Sequence, residues 1–249
     1  MKDKFSQQAA TYAKFRPEYP SELYDFILQN TDNRGVAWDC ATGNGQAAKV
    51  LAQHFEKVYA TDISQKQIDN AAQANNIEYS ISPAEKTSFA DNTFDLITVA
   101  QAIHWFDLDK FYTEVKRVAK PNATLAVWGY SMPQVQDGKI NQALQDFYKN
   151  ETGPYWDFER HHIDAHYATI PFPFEEIKTP QYQIKVKWNL AMLEGYLNSW
   201  SATQNFIKMN GYNPVDGFIV KMRTLWKEKD IKSTIFPVFL KLAKVLKIN

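Results

Sequence analysis

The stretch GVAWDCATGNGQAAKVLAQHF, residues 35–55, decides the fold. It starts as a short apolar strand, turns through two glycines and runs on as an Ala- and Leu-rich helix. KVYATDI, residues 57–63, follows at once as a second strand. A strand, a glycine turn, a helix and another strand make one parallel β/α unit with a right-handed crossover. Working outward, the alternation continues. SQKQIDNAAQA (64–74) is predicted helical with Ser64 as N-cap, IEYSIS (77–82) a strand, and TFDLITVA (93–100) a strand. LDKFYTEVKRVA (108–119) is predicted helical, with Phe111, Val115 and Val118 on one face and Pro121 as its stop, and TLAVWGY (124–130) is a strand. Before the unit, SELYDFILQN (21–30) spaces Leu23, Phe26 and Ile27 for a helix capped by Ser21.

Beyond Tyr130 the pattern loosens. KINQALQDFYKN (139–150) reads as a helix, YQIKVKWN (182–189) as a strand, AMLEGYLNSWSATQNFI (191–207) as helix, break, helix, and VDGFIVKMRTLWKEK (215–229) as a helix. IFPVFLKLAKVLKI (235–248) suits a final strand better than a helix, because Pro237 disfavours a helix interior.

The 249 residues suit one large domain. Lys plus Arg and Asp plus Glu are both 28, which argues against a general nucleic-acid binder. The 13 Tyr and 7 Trp are enough to wall an organic pocket as well as fill a core. A lone Cys40 forbids an internal disulfide and suits a reducing compartment. It is expected to be a small buried packing residue. No apolar run has the length of a membrane span, so a cytoplasmic protein without membrane or nucleic-acid partners is expected.

In an open parallel sheet, ligands sit beyond the carboxyl ends of the strands, where strand order reverses. Gly43 and Gly45 allow a tight turn and close approach to the backbone there. Asp62, at the end of the second strand, offers two acceptor oxygens to a ribose diol. Two cofactors compete. Gly43-x-Gly45-x-x-Ala48 with Asp62 matches the dinucleotide fingerprint and would make the chain an NAD(P)-dependent oxidoreductase. Asp39, four residues before Gly43, would repel a pyrophosphate but favour the ammonium and sulfonium of S-adenosylmethionine. A nucleoside-binding module without catalysis is a third reading.

DCATGNG (39–45) resembles the Asp/Glu-x-Gly-x-Gly-x-Gly loop of class I S-adenosylmethionine-dependent methyltransferases, with Ala41 in place of the first glycine. VYATDIS (58–64) is similar to the family's ribose-binding strand end, carrying Asp62 and Ile63. SPAEKTSFADNTFDLITVAQAIHWFD (82–107) resembles its next loop and fourth strand, where the backbone around Ala84, with Glu85, approaches the adenine. RVAKPNATLAVWGY (117–130) resembles the following helix, turn and strand, with Asn122 and Ala123 where the family has glycines. More narrowly, YAKFRPEYP (12–20), QAIHWFD (101–107) and YLNSWSA (196–202) resemble the trans-aconitate methyltransferase-like (methyltransferase type 11) group. The resemblance implies an α/β, Rossmann-like, doubly wound seven-stranded sheet of order 3-2-1-4-5-7-6 with strand 7 antiparallel. It divides 1–249 into an N-terminal lid and helix (1–34), a cofactor-binding half (35–130) and a substrate or cap region with the final strands (131–249). Asp39, Ala41, Gly43, Gly45, Asp62, Ile63, Ala84, Glu85 and Gln101 are its expected cofactor residues.

The fourth strand then ends at the donor's methyl group. Gln101, His104 and Trp105 form the floor where an acceptor arrives. Methyl transfer is an in-line displacement, in which positioning supplies much of the rate. A phenol or amine acceptor would use His104 as a base; a carboxylate, already ionised, needs none. Tyr12, Arg16 and Tyr19 are expected to fold over the site, Arg16 holding a carboxylate. In YWDFERHHIDAHY (155–167), Trp156, Arg160, Ile163 and Tyr167 share a face at helical spacing, making Arg160 a second anion-binding candidate. His162 and His166 stand at i, i+4, but with no Cys nearby and no Glu after the first His, no metal is expected. The expected function is methyl transfer from S-adenosylmethionine to a small molecule, at a carboxylate oxygen.

Overall fold

The computed structural model describes residues 15–247. Helix α1 (Ser21–Gln29) leads into β1 (Val36–Cys40), α2 (Gln46–Leu51), β2 (Lys57–Asp62), α3 (Gln65–Asp69), β3 (Ile77–Ile81) and β4 (Phe94–Ala100). Helix α4 (Leu108–Val118) then passes into β5 (Ala119–Tyr130). After it come β6 (Gln134–Val135), α5 (Gly138–Asp146), α6 (Arg160–Asp164), β7 (Glu176–Ile177) and β8 (Tyr182–Trp188). Helices α7 (Leu190–Asn198), α8 (Ser201–Asn210) and α9 (Pro214–Met222) precede the long last strand β9 (Lys232–Val245).

β1 to β5 are parallel in the order 3-2-1-4-5, and β9 lies antiparallel against β5 from Ala123↔Val245 to Tyr130↔Val238. β6 continues the β5 side of β9 through Gln134↔Ile235, while β7 and β8 run along its other edge. The expected seven-position sheet is therefore present, with two-residue strands adding to a count of nine. Pro237 sits within β9, and the ladder tolerates it: Gln183 is opposite it on β8, and its carbonyl accepts from Ser131 N.

Both sheet faces are buried, as parallel sheets require. Ala37, Leu96, Ala126 and Trp128 pack under α1 with Leu23 and Ile27. Trp38, Ile97, Val99 and Val127 pack under α4 with Phe111, Val115 and Val118, all fully buried. Each such side chain contributes roughly 1.5–3 kcal/mol of burial.

Some local expectations are corrected. Pro20, not Ser21, caps α1; Ser21 is its first helical residue and its hydroxyl donates to Glu22. Pro121 does not stop α4, which ends at Val118 because the chain joins β5 at Ala119. α3 covers only Gln65–Asp69, with Ser64 capping it through Gln67 N as expected. Asn122, where the resembling family has glycine, takes the left-handed conformation at φ 63°, which asparagine tolerates best after glycine.

Candidate active site

The loop after β1 is built from three left-handed residues, Ala41 (φ 54°), Gly43 (φ 57°) and Gly45 (φ 76°). Ala41 thus holds a conformation for which glycine is the default, at a cost of order 1 kcal/mol. At Gly45 a Cβ would run into the Tyr79 hydroxyl, and the left-handed φ of 76° also favours glycine. Asp62 ties this loop to β2. Its Oδ2 accepts from Gly43 N and its Oδ1 from Ser64 N, both at 2.9 Å.

Asp39 is 1 % exposed and its oxygens are occupied: Thr42 Oγ1 and Ala48 N (3.1 Å) donate to Oδ2, and Thr98 Oγ1 (2.8 Å) donates to Oδ1. It pins the loop, the start of α2 and β4 together. Burial raises its pKa to about 6 against these hydrogen bonds, with Asp62 adding to the rise. The folded pKa is higher than the unfolded one, so the associated stability is complete below about 3.8 and lost as pH rises through about 6. Asparagine can preserve the contacts, because Thr98 Oγ1 also reaches Trp38 O at 3.3 Å and can turn its proton there. Urea unfolding of Asp39→Asn should therefore gain about 2 kcal/mol relative to wild type between about pH 4 and about pH 8. A constant difference would show that Asp39 is ionised without penalty.

Ile63 follows Asp62 half-buried, Ala84 is buried after β3, and Glu85 Oε1 accepts from Asp107 N at 3.1 Å. These segments leave the sheet beside the β1 loop, where the order reverses between β1 and β4. The field there is acidic: Asp39, Glu85 and Asp62 all act on the buried Cys40 and push its thiol pKa up, after burial itself. Such an end of the sheet fits a ribose-bearing cofactor with net positive charge and opposes a pyrophosphate. Gln101 is likewise tied into the sheet. Its backbone is left-handed (φ 55°), and its amide closes on β5, Oε1 accepting from Tyr130 N at 2.7 Å and Nε2 donating to Tyr130 O at 3.1 Å. The amide extends the β4–β5 ladder while the residue still lines the pocket described next.

Past Gln101 opens a pocket lined by Arg16, Gln101, His104, Trp105, Trp156, Asp157, Arg160, Ile163 and Ser201. It unites Arg16, His104, Trp105 and Arg160, which are 144 positions apart at the extremes (160 − 16). Arg16 donates from Nη1 to the Tyr130 hydroxyl at 2.7 Å and lies over the Tyr196 ring at 5.4 Å. Arg160 stacks on Trp156 at 4.6 Å and donates from Nε to the Tyr148 hydroxyl at 2.9 Å, with Asp164 at 3.5 Å. Neither Nη of Arg160 bonds a described residue. His104 is buried in the turn Ile103–Trp105, and its Nδ1 is 3.1 Å from the Tyr167 hydroxyl. Burial first, then Arg160 and His162, lowers its pKa to about 3.

Tyr19 is not among the described lining residues; it packs edge-on against Trp128 and tilted against Tyr130. Tyr12 lies outside the described residues. Trp156, Arg160, Ile163 and Tyr167 do converge, but not on one helix: α6 spans only Arg160–Asp164, and Trp156 is extended. His162 bonds Thr169 and His166 stacks on Phe239, so they point to different partners. Tyr130 and Tyr148 were missed as supports of the pocket, and Tyr167 was placed on the Arg160 face without the contact its hydroxyl makes. A tyrosine in the sequence carries no sign of which polar group its hydroxyl will meet.

Comparison with known proteins gives a consistent answer. Residues 38–127 match a family model described as a methyltransferase domain. A protein of Dictyostelium discoideum described as a methyltransferase is 35 % identical, over 97 % of this chain and 95 % of its own length. Methyltransferase cfoB of Aspergillus candidus is 31 % identical over 72 % of this chain and 63 % of its own. Among solved structures, one described as a type II methyltransferase from Anaeromyxobacter dehalogenans superposes with a TM-score of 0.86 at 33 % identity, covering 94 % of this chain and all of the other.

Proposed function

Because the chain belongs to the class I S-adenosylmethionine-dependent methyltransferases, we propose that it methylates a small organic acid at a carboxylate oxygen. The oxidoreductase and non-catalytic readings are set aside by that membership. When bound, S-adenosylmethionine supplies the methyl group: a C–O bond forms as the C–S bond breaks, and its electron pair stays on sulfur. Asp62 and the β1 loop are the proposed ribose and methionine holders, with Ile63, Ala84 and Glu85 around the base.

The observation that carries the acid is Arg160. Its guanidinium is stacked on Trp156 and held through Nε by Tyr148, which leaves two parallel Nη donors for a carboxylate. Arg16 lines the same pocket, and against the two arginines stands one acid among the described lining residues, Asp157. His104 supports the same choice. With a pKa near 3 it is a poor proton acceptor for a phenol, whose own pKa is about 10. A carboxylate arrives ionised and needs no base. Trp105, Trp156 and Ile163 offer an apolar wall for the rest of the acceptor. The narrower likeness to the trans-aconitate methyltransferase-like group points the same way.

A screen of matched acids, amides, esters, phenols and amines, reading S-adenosylhomocysteine release, tests this. Acids should be turned over, and their amides and esters should not. Turnover confined to phenols or amines would overturn the reading.

A further inference from the structure

We propose that Tyr167 fixes the tautomer of His104, so that the imidazole presents its Nε2–H to the acceptor pocket as a hydrogen-bond donor. The tautomer stands on geometry alone; its use in orienting an acceptor oxygen rests on the acid reading above.

Tyr167 is placed with unusual force. His166 (φ 51°) and Tyr167 (φ 60°) are consecutive left-handed residues, and neither is glycine. Two such residues in a row persist only where surrounding contacts impose them, and such strain gathers at functional sites. The contacts are present. Tyr167 N donates to His162 O at 2.7 Å, closing the turn after α6. The His166 ring stacks on Phe239 of β9 at 5.1 Å, and the Tyr167 ring meets the same Phe239 edge-on at 4.8 Å. The outcome is a fully buried Tyr167 with its hydroxyl 3.1 Å from His104 Nδ1.

A neutral imidazole carries one N–H, and the partner of one nitrogen decides which. A phenol is a much stronger acid than an imidazole N–H, and an imidazole nitrogen is a better acceptor than a phenol oxygen. The pair therefore adopts O–H···Nδ1, and the ring proton goes to Nε2. Nε2 has no partner among the described residues, and His104 lines the pocket between Trp105 and Arg160. The pocket floor is then a donor beside a guanidinium, suited to an anionic oxygen, and not a bare lone pair suited to proton removal.

Long-range 1H–15N spectra of the 15N-labelled protein near neutral pH, assigned by the signals missing in His104→Gln, read the tautomer directly. The expected result is an unprotonated Nδ1 and a protonated Nε2 for His104, with Tyr167→Phe giving a mixture of tautomers. In kinetics with whichever acceptor the screen identifies, Tyr167→Phe should raise its KM about fivefold to tenfold, the loss of one neutral hydrogen bond's control. S-adenosylmethionine affinity should stay within about twofold, a split that general unfolding would not give. A proton on Nδ1 and a bare Nε2 in the wild-type spectrum would overturn the proposal, whatever the acceptor. So would an unchanged tautomer in Tyr167→Phe. Failure of acids in the screen with the expected spectrum would overturn the acid reading alone.

Discussion

Asp62→Ala is expected to raise the S-adenosylmethionine dissociation constant about a hundredfold, close to 3 kcal/mol, as measured by calorimetry. Two losses combine. The carboxylate is the proposed acceptor for the ribose hydroxyls. It also accepts from Gly43 N and Ser64 N at 2.9 Å, and the variant loses both ties. Asp39 and the Thr42 N to Thr61 O bond still hold the loop, so the variant loosens it at Gly43 without unfolding it. Asp62→Asn retains one carbonyl oxygen and should recover part of the affinity. A folded Asp62→Ala protein with wild-type affinity would remove this residue from the site.

The second large effect belongs to Arg160. Arg160→Ala should lower kcat/KM for an acid acceptor about a hundredfold to a thousandfold, the range for truncating one partner of a desolvated charge pair. S-adenosylmethionine affinity should stay within about twofold, because Arg160 belongs to the pocket proposed for the acceptor and not to the β1 loop. Arg160→Lys should not rescue the activity. A lysine ammonium is a single point donor and cannot stack on Trp156 while offering two parallel N–H groups. Equal losses for acid and neutral acceptors would mean that Arg160 only supports the pocket wall. Its contacts to Tyr148 and Asp164 make that the alternative to exclude.

Much of the fold was legible because its signals are local. Strand–turn–helix alternation over residues 35–130 reads from apolar periodicity and punctuation, and the sheet order followed from the resemblance of the β1 loop. Pro237 correctly turned the last segment into a strand. The errors at Ser21 and Pro121 lie at element ends, where one or two residues shift at little cost. The pocket proposed for the acceptor was legible by residue type but not by arrangement. Arg16, His104, Trp105 and Arg160 were each recognisable as chemistry in search of a partner, yet the helical face that was to align Trp156 with Tyr167 exists for only one turn.

The sequence by itself determined the fold class and the cofactor class of this protein. Glycines and acids at the strand ends act through their own backbone freedom and charge, properties a residue carries wherever it sits. Only the tertiary structure decided what Asp39, Gln101 and His104 do. Asp39 is a carboxylate whose function depends on whether Thr42, Ala48 and Thr98 reach it first, and they do. Gln101 is an amide that the neighbouring strand takes up. His104 is a base or a donor according to burial and a hydroxyl 63 residues away. The physical reason is that hydrogen bonds and desolvation are set by distances of a few ångströms between chain-distant groups, and only packing brings those groups together.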